Sequence, residues 1–190
     1  MFTGIAQEKN TMNLAIEAGF IPFSSSENIG LFLNVEPQVK VSNNTLVGLR
    51  IAVTINSQTY ESKDESQFII DNIEYENGFL SIVPTFSYSL NEALLWDKYI
   101  FRPYIGLGVG PYLLANYVDI FQIGTVNSSY VEVPVHYQIG LLFRSGFELG
   151  KSRLGLEYNF ISKADIEIPS GQKIGTVNSS YLGLSIGFTI

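Results

Sequence analysis

The stretch "IGLFLNVEPQVKV" alternates with a period of two. Ile29, Leu31, Leu33, Val35, Pro37, Val39 and Val41 share one face, and Gly30, Phe32, Asn34, Glu36, Gln38 and Lys40 share the other. The next stretch repeats the pattern, with Val47, Leu49, Ile51, Val53 and Ile55 set against Gly48, Arg50, Ala52, Thr54 and Asn56. A strand points successive side chains to opposite faces, so each stretch is a ribbon with one oily side. The pattern predicts eight such ribbons, at 12–21, 29–42, 45–57, 78–90, 99–117, 129–149, 152–163 and 180–190. No amphipathic helix separates them. Most exceed the usual strand length of about five or six residues. They match the roughly nine to eleven residues with which a tilted strand crosses a bilayer.

The links between ribbons alternate in length. "NNT" and "GK" are short and "NEALLWDK" is intermediate, whereas 57–77, 118–128 and 164–179 are long; the first link, "PFSSSEN", is moderate. Short and long links therefore fall at opposite ends of an up-and-down meander, as in membrane barrels with short periplasmic turns and longer outer loops. The "GK" link predicts a two-residue hairpin with Gly150 at a position that takes positive φ. Its register sets Glu148 opposite Arg153, Arg144 opposite Glu157, and Gly146 opposite Gly155 between them. Two opposite-charge pairs on one face favour that register over a one-residue slip.

Alternation alone does not say which face points inward. The less apolar face is small in places: Gly106, Gly108 and Gly110, then Gly183, Ser185 and Gly187. It also carries Glu17, Glu36, Lys40, Arg50, Arg102, Glu132, His136, Arg144, Glu148, Arg153 and Glu157. The opposite face is greasy to the final residue, through Leu182, Leu184, Ile186, Phe188 and Ile190. Small residues and paired charges suit a narrow eight-stranded lumen, so the oily face is expected outward, against lipid. Tyr88, Phe101, Phe143, Phe147 and Phe188 are expected near the short-turn end, with Trp96 in the turn. Phe20, Tyr158 and Phe160 are expected nearer the long-loop end, the two sets forming girdles.

Composition sharpens this reading. Charged residues are 15% of the 190, and hydrophobic residues are 46%. A net charge of −7 argues against a nucleic-acid partner. There is no cysteine, so disulfides and thiolate chemistry are excluded. Residues 1–11 are expected to be an N-terminal segment, with Gly4 and Ala6 matching the small residues of a signal-peptidase site. Residues 12–190 are expected to form one barrel domain.

The ending "SYLGLSIGFTI", with apolar residues alternating to the last position, resembles the C-terminal targeting strand of small bacterial outer-membrane β-barrels of the OmpA/OmpX/OmpW type. "RPYIGLGVGPY" resembles their ascending strands. The resemblance implies a closed antiparallel eight-stranded transmembrane barrel, integral to the outer membrane and monomeric, with lipopolysaccharide outside. It implies recognition by the barrel-assembly machinery through Tyr181, Leu182, Leu184, Ile186, Phe188 and Ile190. Ile190 departs from the Phe with which the family usually ends.

Catalytic chemistry finds little support. The lone histidine, His136, is expected to share the lumen face with Glu132 and Gln138, with no serine placed as a nucleophile beside it. One histidine does not make a protein-only zinc site. "GLGVG" lacks the lysine and helix of a phosphate loop. "YESKDESQ" (60–67) reads as a solvated outer loop. No catalytic, cofactor or metal site is expected. The expected function is non-enzymatic: a side-chain-plugged barrel acting through its outer loops in surface binding, adhesion or envelope integrity. The alternatives are a narrow conduit for hydrophobic molecules, hinted at by Phe32, Val83 and Leu142, a lipid hydrolase using His136, and a soluble ligand-binding barrel. "IGTVNSSY" occurs at 123–130 and again at 174–181. Both copies are expected to end a long loop and to place Tyr130 and Tyr181 in the same phase and at the same height.

Overall fold

The computed structural model describes residues 12–22, 30–60, 73–90, 94–96, 99–120, 129–132, 136–167 and 173–190. Residues 1–11 and most of the long links therefore lie outside the described residues. The strands are β1 (Met12–Ile21), β2 (Gly30–Lys40), β3 (Thr45–Tyr60), β4 (Ile73–Ser89), β5 (Leu94–Trp96) and β6 (Tyr99–Ile120). They continue with β7 (Ser129–Glu132), β8 (His136–Leu149), β9 (Ser152–Ile161), β10 (Ala164–Glu167), β11 (Lys173–Val177) and β12 (Tyr181–Thr189). Eight of these are staves. Antiparallel pairing runs β4-β3-β2-β1-β12-β9-β8-β6, and β4 with β6 closes the ring. Closure removes the open edges that an isolated sheet would present.

Each alternating ribbon supplies a stave because each face of that stave has a matching environment on its own side of the wall. On β3, Val47, Leu49, Ile51, Val53 and Ile55 are exposed while Arg50, Ala52 and Thr54 are buried. On β12, Leu184, Ile186 and Phe188 are exposed while Tyr181 and Ser185 are buried. A soluble protein rarely leaves so large a continuous apolar surface uncovered. A belt of this kind is the surface of a barrel solvated by lipid.

The β8–β9 hairpin has the expected register: Glu148 pairs with Arg153, Gly146 with Gly155 and Arg144 with Glu157. Gly150 takes φ of 62°, the left-handed value that favours glycine at the first central residue of a two-residue hairpin. Two ladders are interrupted. Between β4 and β6, pairing stops after Ser81–Tyr112 and resumes at Thr85–Gly108. Pro84 and Pro111 fall in that gap, and neither has an N–H to donate. Between β2 and β3, the gap lies between Val35–Ile51 and Gln38–Gly48, at Pro37.

The structure corrects several expectations. β3, β4 and β6 run further toward the long loops than the alternation suggests, pairing out to Tyr60–Ile73 and Ile73–Ile120. Polar residues such as Asn56 and Asn77 are compatible with a ladder outside the belt, where alternation of oily residues is no longer required. Trp96 lies in β5, paired with β6, not in a turn. The expected 129–149 ribbon is two strands: β7 sets Glu132 opposite Tyr117, whereas β8 sets His136 opposite Leu114. Those registers differ by one residue. The two girdles also fail in part, because Phe143 pairs directly with Tyr158; both lie equally far from the hairpin tip. Finally, Tyr130 pairs with Asp119 in β7, whereas Tyr181 pairs with Asn159 inside the barrel wall, so the repeated octapeptide does not occupy matching positions.

Arginine at the middle of the outward row of β3 tests the lipid-facing assignment. Ile51→Arg is expected to cost about 2–4 kcal/mol in a bilayer. Urea titration of protein refolded into lipid vesicles, read by heat-modifiable gel migration, measures it.

Candidate functional site

The lumen holds the charged side chains. Parity along each stave turns Glu17, Glu36, Arg50, Arg144, Arg153 and Glu157 inward, and each is 5% exposed or less. Six ionised groups at such depth require close partners.

Arg50 on β3 and Glu157 on β9 face each other across the ring, with three staves on either side. Arg50 Nη2 donates to Glu157 Oε1 at 2.7 Å and to Oε2 at 3.0 Å. The same carboxylate accepts from Asn159 Nδ2 at 3.0 Å and from the Tyr181 hydroxyl at 3.3 Å. Tyr112 extends the chain, donating to Asn159 Oδ1 at 2.6 Å. A second pair crosses the lumen from β8 to β2. Arg144 grips Glu36 with both terminal nitrogens, Nη2 reaching Oε1 at 2.6 Å and Nη1 reaching Oε2. Thr85 donates to Glu36 at 2.5 Å, and Arg144 also donates to Ser87 at 2.9 Å. The Arg144 contact is of the two-pronged kind that a planar guanidinium makes with a carboxylate, whereas Arg50 serves both Glu157 oxygens from one nitrogen.

The third pair is looser. Arg153 Nη1 lies 3.1 Å from Glu17 Oε1, and its Nε lies 3.9 Å from Glu148. Its guanidinium sits 3.9 Å from the centroid of the Tyr104 ring, a cation–π position. Ser185 Oγ donates to Glu17 at 3.2 Å. Between the staves of this pair runs β12, and Gly187 is paired with Glu17 on one side and with Arg153 on the other. A Cβ there would come within 2.6 Å of Glu17 Cγ, so glycine leaves the path between the partners open.

The hairpin register matches its expectation, yet it does not identify the partners. Arg144 pairs with Glu36 instead of its ladder neighbour Glu157, and Arg153 approaches Glu17 more closely than Glu148. Arginine is long enough to cross this lumen, and a partner reached across it can be met end-on by both prongs. Lys40, Arg102 and Glu148 stand apart from the cross-lumen pairs, at the short-turn mouth, together with Gln38 and Lys151. The side chains of Glu132 and His136 lie outside the described residues. Of the C-terminal set, Leu184, Ile186, Phe188 and Ile190 are exposed outward, Leu182 is half-buried, and Tyr181 is buried in the lumen. Sequence reasoning missed Tyr112, Asn159, Thr85, Ser87 and Tyr104; the signal was their inward parity. Toward the long-loop side the lumen turns apolar, where Ile21, Phe32, Phe79, Val83, Leu114, Leu142 and Ile161 cluster with Tyr112 and Tyr181. Among the described residues no group of three or more His, Cys, Asp or Glu side chains could hold a metal.

Comparison with solved structures settles the architecture. Neisserial surface protein A is 16% identical, aligned over 96% of this chain and 99% of its own, with a TM-score of 0.54. A major outer membrane protein from Thermus thermophilus is 14% identical over 95% of this chain and 100% of its own, also at 0.54. The fold is that of the small outer-membrane β-barrels. No protein-family model and no curated protein matches the sequence.

The buried pairs make a stability prediction. Arg50→Met is expected to cost about 3–5 kcal/mol, because it strands the Glu157 charge. Arg50→Met with Glu157→Met is expected to cost less than either single change. The same vesicle unfolding assay on the three variants checks the order.

Proposed function

We propose that this protein is a non-enzymatic integral outer-membrane barrel whose lumen is closed by its own side chains and whose activity resides at its outer end, in surface binding, adhesion or envelope integrity. The observation that carries the reading is the pair of doubly bonded Arg–Glu contacts spanning the lumen from β3 to β9 and from β8 to β2. Side chains joined across the lumen support a closed interior, since an eight-stranded barrel has room for little more than its own side chains. The far ends of β3, β4 and β6, paired beyond the belt, support the outer-end reading, since they carry the long links on a hydrogen-bonded base.

Two measurements test this. Planar-bilayer recordings of the refolded protein are expected to show no steady single-channel current; a stable conductance would overturn the closed lumen. Shortening the 61–72 loop is expected to abolish attachment of cells bearing the barrel to a surface while leaving heat-modifiable migration unchanged. Attachment that persists unaltered would count against the role assigned to that loop.

A second reading, a conduit for small hydrophobic molecules, is favoured by the apolar half of the lumen lying behind the interrupted β4–β6 ladder, where Val83 backs onto Gly110. It requires that vesicles carrying the protein take up a hydrophobic dye faster than protein-free vesicles, and that Leu142→Trp slow the uptake.

A further inference from the structure

The short-turn mouth of the lumen is a half-enclosed cavity of about 680 Å³. Its size lies in the range of small-molecule sites. Lys40, Arg102 and Lys151 line it, against one side-chain carboxylate, Glu148. That balance runs opposite to the chain as a whole, whose net charge is −7. The one side-chain carboxylate is already shared, since Glu148 Oε1 lies 3.9 Å from Arg153 Nε. Among the described residues none of the three cations has a carboxylate within ion-pair distance.

A second observation points the same way. Gln38 lines the same cavity, is 1% exposed, and its Nε2 has no hydrogen-bond partner among the described residues. A buried amide donor without an acceptor is costly. An acceptor-rich anion entering the mouth would satisfy it. The planar guanidinium of Arg102 and the ammonium groups of Lys40 and Lys151 are the donors that phosphate oxygens take. A recess lined predominantly by one sign of charge also concentrates counter-ions.

We propose that this mouth binds a phosphate-bearing ligand, held by Lys40 and Arg102 with Gln38 donating from the buried wall. The site lies at the opposite end of the barrel from the outer loops and does not depend on their function. Two sources share the chemistry, a soluble phosphate compound and the headgroup of a phospholipid.

Calorimetric titration of the full chain, refolded in a non-ionic, phosphate-free detergent, tests it with two probes: inorganic phosphate and dihexanoylphosphatidylglycerol. Saturable binding of at least one is expected. Phosphate binding assigns the site to soluble ligands, and binding of the lipid alone assigns it to headgroups. Lys40→Gln combined with Arg102→Gln is expected to weaken binding by about thirtyfold or more, the loss of two charge-assisted contacts. Lys163→Gln, on the exposed stretch after β9, is expected to change nothing, and heat-modifiable migration verifies that each variant is folded. Failure of both probes to bind, or binding that survives the double substitution in folded protein, would overturn the proposal.

Discussion

An eight-stave barrel has an axis that its own side chains must fill, and here the filling is ionic. The two doubly bonded contacts, Arg50 with Glu157 and Arg144 with Glu36, tie opposite walls together. Backbone ladders connect only neighbouring staves, so they fix the ring's circumference without bracing it across. The lumen pairs supply that bracing. Burying the four charges carries a desolvation cost that close partnering offsets. Thr85, Ser87, Asn159 and Tyr181 add hydrogen bonds to the pairs, so polar residues recur at inward positions of β4, β9 and β12, while Nε of Arg50 and of Arg144 has no hydrogen-bond partner among the described residues.

Long side chains crossing a narrow lumen need space along their route, and glycine provides it. A Cβ on Gly106 would come within 2.8 Å of Arg144 Nε, and one on Gly48 within 2.6 Å of Glu36 Oε1. Gly187 does the same for Glu17. At these positions the charged pairs fix which wall residues must be small, whereas Gly19 and Gly183 make room for Phe32 and Gly140 for Tyr112. Apolar side chains take over where the charges stop, so Phe32, Phe79 and Leu142 fill the long-loop half by packing alone. The prolines sit outside this scheme. Pro84 and Pro111 each lack a ladder donor, and the losses coincide in a single seam.

The stave count, the outward belt and the β8–β9 register are all legible in the sequence, because each follows from parity and from one glycine-bearing turn. Partner choice is not. Parity says that Arg144 and Glu157 point inward side by side, but it carries no information about what stands on the far wall. That depends on how eight registers add up around the ring, and no single hairpin contains the sum. The girdles fail for a different reason. Phe143 and Tyr158 are equally far from their hairpin tip and so must be level, whichever end of the belt their aromatic rings suggest. The strand ends past the belt are hidden because the oily alternation stops where lipid stops, while hydrogen bonding continues.

The repeated octapeptide shows how far local sequence can be overruled. In the second copy, Gly175, Thr176 and Val177 pair with β10, Ser180 hydrogen-bonds the backbone of Ile161, and Tyr181 enters the lumen against Phe79 and Phe32. Its backbone partner Asn159 is level with Leu142, and Leu142 with Gly108 on β6. The first copy ends at Tyr130, paired with Asp119, well up the same β6 from Gly108. Identical residues thus join the sheet at different heights. The difference lies in the residues just downstream. After Tyr181 comes "LGLSIGF", an alternating run long enough to be a stave between β9 and β1, which pulls its tyrosine into the wall. After Tyr130 comes "VEVPVH", where a proline removes a donor, and the short strand β7 pairs with the far end of β6. The octapeptide supplies a junction; the ribbon behind it decides where that junction is placed.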